Sequence, residues 1–213
     1  MRADRLMGIF VIVIMVGSIA GIAVYNIGDD SSSEINQDGT FEVNGNIFYE
    51  DKTQSSFNAM LSSPTGDMLE VPFRADPRNV SHINIADDAL LSVKDAEKIY
   101  MVFDPNTPNF LDYKNNLQLA MGQVSRLINL ANTNRVYPVS ALTADIPDET
   151  YDDNIPLKSC EDAVDNAPVL FFTLGLTDEV KFEDNCVIIS GKTGDSLIDT
   201  ADKFGMYLVG LRV

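Results

Sequence analysis

Leu6 to Tyr25 (LMGIFVIVIMVGSIAGIAVY) carries no charged side chain, and Ser18 is its only strongly polar group. This stretch constrains everything behind it. As a helix rising about 1.5 Å per residue, it just crosses a hydrocarbon layer of about 30 Å. Arg2 and Arg5 precede it, and Asp29, Asp30 and Glu34 follow. Basic residues before and acids after predict an N-terminus kept in the cytoplasm and a translocated remainder. The expected plan is a cytoplasmic N-terminus (1–5), a transmembrane signal-anchor helix (6–25), a flexible stalk (26–40) and an extracytoplasmic domain (41–213). A cleaved signal peptide is the main rival, with Ser18-Ile19-Ala20 as its small-x-small site. The apolar run continues through Ile22, Ala23 and Val24, so cleavage would leave an apolar new terminus. A lipoprotein needs a cysteine near position 20, and none is there. A pilin-like signal cut at Gly8 would pack the helix into a filament core, but the basic residues lie slightly upstream and no other filament signature accompanies them. A buried helix of a globular core rarely runs this long without a polar face.

The chain holds 32 acids against 15 bases, and 23 of the acids are aspartate. Such a surface repels nucleic acids and anionic headgroups, so nucleic-acid partners are not expected. The acids are spread between apolar segments, as on a solvated surface, and they suit a saline medium that screens like charges. On the translocated side, Cys160 and Cys186 have only each other to pair with. The bridge would close a loop of about 25 residues and contribute a few kcal/mol in a chain-entropy account. With no CxxC and no histidine nearby in sequence, nothing marks the pair as reactive; the alternative is a buried Cys186 acting as a small hydrophobe.

Past the polar stretch 26–40, Phe41–Glu50 reads as a hairpin turning at Asn44-Gly45, two residues that tolerate positive φ. Phe57–Leu61 is ambiguous. Met68–Phe73 is a strand whose Pro72 argues for an edge or an end, and Val80–Ile85 is a further strand candidate. A short helix is expected within 87–97 and a strand over Lys98–Phe103. The clearest helix is Lys114–Ala131, where Leu117, Ala120, Met121, Val124, Leu127, Ile128 and Ala131 recur every three or four positions. Tyr137–Ala144 resembles a strand, Cys160–Asn166 a helix, and Pro168–Leu174 and Cys186–Ser190 further strands. The last helix is expected over Asp195–Phe204, ended by Gly205 and followed by a terminal strand over Met206–Leu211. The sum is an α/β or α+β domain in which helices pack on a mixed sheet.

Few motifs carry chemistry. Ile189–Thr193 ends like a phosphate-binding loop, but the position that needs the first glycine is Cys186, within an apolar run that prefers to be extended. His82 is the sole histidine, and neither Ser81 nor Ser92 lies in a nucleophile-elbow frame. The acidic loop with Asp145, Asp148, Glu149, Asp152 and Asp153 offers the oxygen ligands that calcium prefers, without the spacing of a twelve-residue calcium loop. Paired carboxylates could serve glycoside hydrolysis, though no Trp is present to form a sugar platform. Asp104 stands at a strand's carboxyl end, where open α/β sheets place ligand groups, but Asp104-Pro105 is also an ordinary turn opener. A carboxylate- or cation-dependent hydrolase would bring Asp104, Arg74 or Arg78, and Asp148 or Asp152 into one pocket. Asn79-Val80-Ser81 is an N-glycosylation acceptor if the domain is exported. These features favour a structural or protein-interaction ectodomain of an envelope or surface assembly, with a protein partner or self-association. A carboxylate- or cation-dependent hydrolase, and a ligand-binding ectodomain or pilin-like filament subunit, are the alternatives.

Overall fold

The computed structural model describes residues 39–62, 68–131, 136–144 and 155–213. All of them fall within one compact unit, Glu34–Val213. The span 6–25, most of the stalk 26–40 and the acidic residues Asp145, Asp148, Glu149, Asp152 and Asp153 lie outside the described residues. Among the described residues, no helix is long and apolar enough to cross a membrane.

The chain first builds an antiparallel meander of β1 (Thr40–Val43), β2 (Asn46–Asp51), β3 (Ser56–Ser62) and β4 (Met68–Phe73), ordered as in sequence. Asn44 and Gly45 take the positive φ values of 47° and 80° that a two-residue hairpin turn demands. The ambiguous segment 57–61 is β3, paired on both sides with β2 and β4. β4 is an edge, as Pro72 requires.

The second sheet holds six strands in the order β5-β9-β10-β8-β6-β7. Its members are β5 (Asn84–Ile85), β6 (Tyr100–Phe103), β7 (Val139–Leu142), β8 (Val169–Leu174), β9 (Glu179–Glu183) and β10 (Cys186–Gly191). Only β9–β10 pairs antiparallel, so the sheet is mixed. β10 inserts between β8 and β9 and is apolar on both faces, as a central strand must be. The charged segment 177–185 supplies β9 and, with Asp184 and Asn185 both at positive φ, the tight turn into β10.

Three helices complete the described fold: α1 (Asp87–Lys94), α2 (Phe110–Ala131) and α3 (Gly194–Leu208). One core cluster joins all three to Met101, Leu170, Phe172, Val180, Val187 and Ile189 of the six-stranded sheet. A second joins Phe41, Phe48, Ala59, Val71 and Phe73 of the meander to Leu127 of α2, Met206 of α3 and the terminal Leu211 and Val213. α2 and α3 are therefore a helix layer between two sheets. The far face of the larger sheet, with Val102, Ala141, Val169 and Cys186, is packed by Cys160 and Ala163 instead of a helix.

Several expectations need correction. Val80–Ile85 is not a strand: only Asn84 and Ile85 pair, and Val80–Ile83 is a turn closed by the Ile83 amide on the Val80 carbonyl at 3.0 Å. The helix at Cys160–Asn166 shrinks to a 3-10 turn, Cys160–Asp162, capped by Ser159. α2 begins a turn earlier than Lys114 because Phe110 stacks on Phe103 at 5.5 Å and Tyr113 is buried. There is no terminal strand, since α3 runs through Gly205 to Leu208. Gly205 is an interior contact: a Cβ built there would lie 2.1 Å from Leu127 Cδ1. The actual stop is Gly210 (φ 91°), with the Gly210 amide on Tyr207 O and the Leu211 amide on Met206 O. Those two bonds form a Schellman motif, with Leu211 and Met206 in the same apolar cluster.

Candidate functional site

The strongest concentration of buried polar groups lies where α3 meets the segment connecting the two sheets. Wrapped by sheets on both sides, α3 buries Asp202 completely and leaves Lys203 only 3% exposed. One Asp202 oxygen, Oδ2, accepts from the amides of Arg74 (2.5 Å) and Ala75 (2.8 Å). The other, Oδ1, is buried with no hydrogen-bond partner among the described residues. Burial pushes this carboxyl up to about 6, with the two amides and Arg126 pulling down and the neighbouring Asp199 pushing up. Lys203 Nζ donates to the carbonyls of Val80 (2.9 Å), Ser81 (3.2 Å) and Ile83 (2.8 Å), and burial lowers its affinity for the proton. On α2, Arg126 donates to Pro72 O at 2.6 Å and Gln123 to the same carbonyl at 2.9 Å. Together these side chains satisfy backbone groups that no strand ladder reaches. Their work is to clamp the segment that leads from β4 to β5.

The phosphate-loop look-alike is a strand-to-helix turn. Thr193 caps α3 reciprocally with Ser196, and the Lys192 amide donates to Asp178 at 2.8 Å. Lys192 Nζ stands 3.4 Å from the same carboxylate. Burial opposes ionisation of Asp178, but the Lys192 amide, the Ser196 hydroxyl and the Lys192 ammonium together hold its carboxyl below the usual range. A side chain of the protein thus occupies the position where a bound anion would neutralise the helix N-terminus. Gly191 serves packing here, because a Cβ would meet Leu197 N at 2.3 Å. His82 is largely exposed on a turn, with Nδ1 3.0 Å from Asn79 O and Nε2 3.9 Å from Asp178. The strand expected over Val80–Ile85 therefore does not carry it.

Asp104 does open a turn: it accepts from the Asn106 amide at 2.9 Å, and Thr107 donates to its carbonyl. Beside it, the Phe103–Phe110 stack packs where β6 hands over to α2. Arg78 is committed elsewhere, forked onto Asp76 with its guanidinium 4.3 Å above the Phe41 ring. No hydrogen bond or ion pair among the described residues joins Asp104 to Arg74 or Arg78, and Asp148 and Asp152 lie outside the described residues. Among the described residues no group of three or more His, Cys, Asp or Glu side chains converges as a metal site. The proposed calcium loop falls outside that set.

Cys160 and Cys186 form a disulfide with Cα atoms 5.2 Å apart. It fastens the 3-10 turn to the start of central strand β10. Asn79 is exposed on the connection between the sheets. A groove of about 380 Å³ opens between Leu61, Ser62 and Leu69 of the meander and Leu130, Ala131, Leu208 and Val209 at the ends of α2 and α3. Met60, Met68, Leu69 and Leu130 are exposed apolar side chains of the same strands and helix end.

The buried pair Asp202 and Lys203 was not legible in the sequence, where consecutive charges on an amphipathic helix read as its wet side. Comparison with protein-family models, with curated proteins and with solved structures finds no match to this chain.

Proposed function

We propose that the chain is a membrane-anchored ectodomain protein with a structural or protein-interaction role in an envelope or surface assembly. In this reading residues 6–25 hold it in the membrane, 26–40 form a stalk, and the domain from 41 onward faces outward. The observation that carries it is the Cys160–Cys186 bridge, because structural disulfides form and persist in oxidising compartments. The uncharged stretch Leu6–Tyr25 and the order of flanking charges supply the anchor and its direction. Exposed apolar side chains support the interaction role, Leu69 and Leu130 at the groove and Met60 and Met68 elsewhere on the meander, methionine being enriched where proteins meet. An acidic surface argues against nucleic-acid partners.

The test is labelling of intact cells with a membrane-impermeant amine reagent, followed by gentle extraction and mass analysis of the chain and whatever co-purifies. Exposed lysines such as Lys181 and Lys192 should be modified from outside, and the cysteines should be oxidised in the recovered protein. Failure of the reagent to reach them without lysis would overturn the outward orientation.

A further inference from the structure

We infer that Asn79 carries an N-linked glycan, an assignment that rests on export of the domain. Asn79-Val80-Ser81 is the chain's sole Asn-x-Ser/Thr triplet. The fold displays its two polar members and buries the residue between them. Asp76–Asn79 is a turn closed by the Asn79 amide on Asp76 O at 2.9 Å, with Pro77 at its second position. The next turn begins at Val80. Asn79 and Ser81 are exposed, whereas Val80 is 2% exposed and belongs to the core beneath the meander. Lys203 grips the Val80, Ser81 and Ile83 carbonyls from below, so the double turn is a fixed platform.

The acceptor nitrogen is little engaged. Among the described residues, Asn79 Nδ2 makes one long contact, 3.4 Å, to an Asp76 oxygen that Arg78 Nη2 already holds at 2.7 Å. A bulky hydrophilic group on Nδ2 would project into solvent and displace no core atom. The step is glycosyl transfer from a lipid-linked oligosaccharide diphosphate. Asn79 Nδ2 attacks the anomeric carbon, forming the C–N bond as the anomeric C–O bond breaks. The lipid diphosphate leaves with the electron pair, and one Nδ2 proton passes to a base of the transferase.

The test is intact-mass and peptide mapping of the full chain recovered from its native membranes, beside Asn79→Gln, Ser81→Ala and Ser81→Thr variants. The expected result is a mass increment on the peptide bearing Asn79 that is lost in Asn79→Gln and Ser81→Ala and kept in Ser81→Thr. Oxidation of Cys160 and Cys186 in each variant shows that it has folded. An unmodified Asn79 in molecules that are disulfide-bonded and labelled from outside would overturn the glycan while leaving export intact. An unmodified Asn79 in molecules that are reduced and unlabelled would overturn both.

Discussion

At the scale of single residues, the most consequential group is Asp202. Its carboxyl rises from an ordinary 3.8 to about 6 because burial outweighs the two backbone amides and Arg126. A carboxyl that holds its proton more tightly when folded contributes stability that is complete below its unfolded value and lost as pH climbs through its folded one. The loss amounts to about 3 kcal/mol between acid and neutral pH. Asp202→Asn keeps an acceptor for the Arg74 and Ala75 amides but cannot ionise. Denaturant titrations should therefore show the variant gaining on the wild type as pH rises from about 4 to about 7, by up to that amount. Parallel pH profiles for the two proteins would refute the assignment. Lys203→Met leaves the buried carbonyls of Val80 and Ile83, and the half-buried one of Ser81, without their shared donor and should cost on the order of 3 kcal/mol at neutral pH.

At the scale of elements, two glycines set how closely α3 approaches its neighbours. A Cβ at Gly205 meets the end of the Leu127 side chain, whereas a Cβ at Gly191 meets the backbone of Leu197. Side chains yield and backbones do not. Gly205→Ala should cost about 1–3 kcal/mol, while Gly191→Ala should cost more, as read by urea midpoints. Adding Leu127→Ala should cost less in the Gly205→Ala background than alone, since the new methyl fills part of the cavity. The reverse order for the two glycines would sink the packing account. The same contact explains why Gly205 misleads when read in sequence. A glycine after an apolar stripe normally stops a helix, but here the stripe's far side is buried too.

At the scale of the whole molecule, charge and covalent closure act on the entire chain. Replacing both cysteines by serine removes a cross-link spanning 26 residues and should lower stability by about 3.5 kcal/mol in a chain-entropy account. A net charge of −17 is self-repelling. Raising salt from low to molar concentration should lift the melting temperature by roughly 5 °C, and an unchanged melting temperature would show that the acids are too dispersed to matter.

Much of the local architecture was legible in the residues alone. Asn44-Gly45 determined a hairpin, Pro72 an edge or an end, the stripe from Leu117 to Ala131 a helix, and a single cysteine pair its own partner. Each of these follows from backbone sterics, periodicity or count within one segment. The tertiary structure alone decided that β9 pairs beside β10, that Val80–Ile83 turns instead of pairing, and that Asp202 and Lys203 go inside. Periodicity shows that a helix has one apolar side, but a second layer buries the other. Here the meander packs against α2 and α3 from the side opposite the larger sheet, so charges that read as solvated became the clamp on the segment joining the sheets.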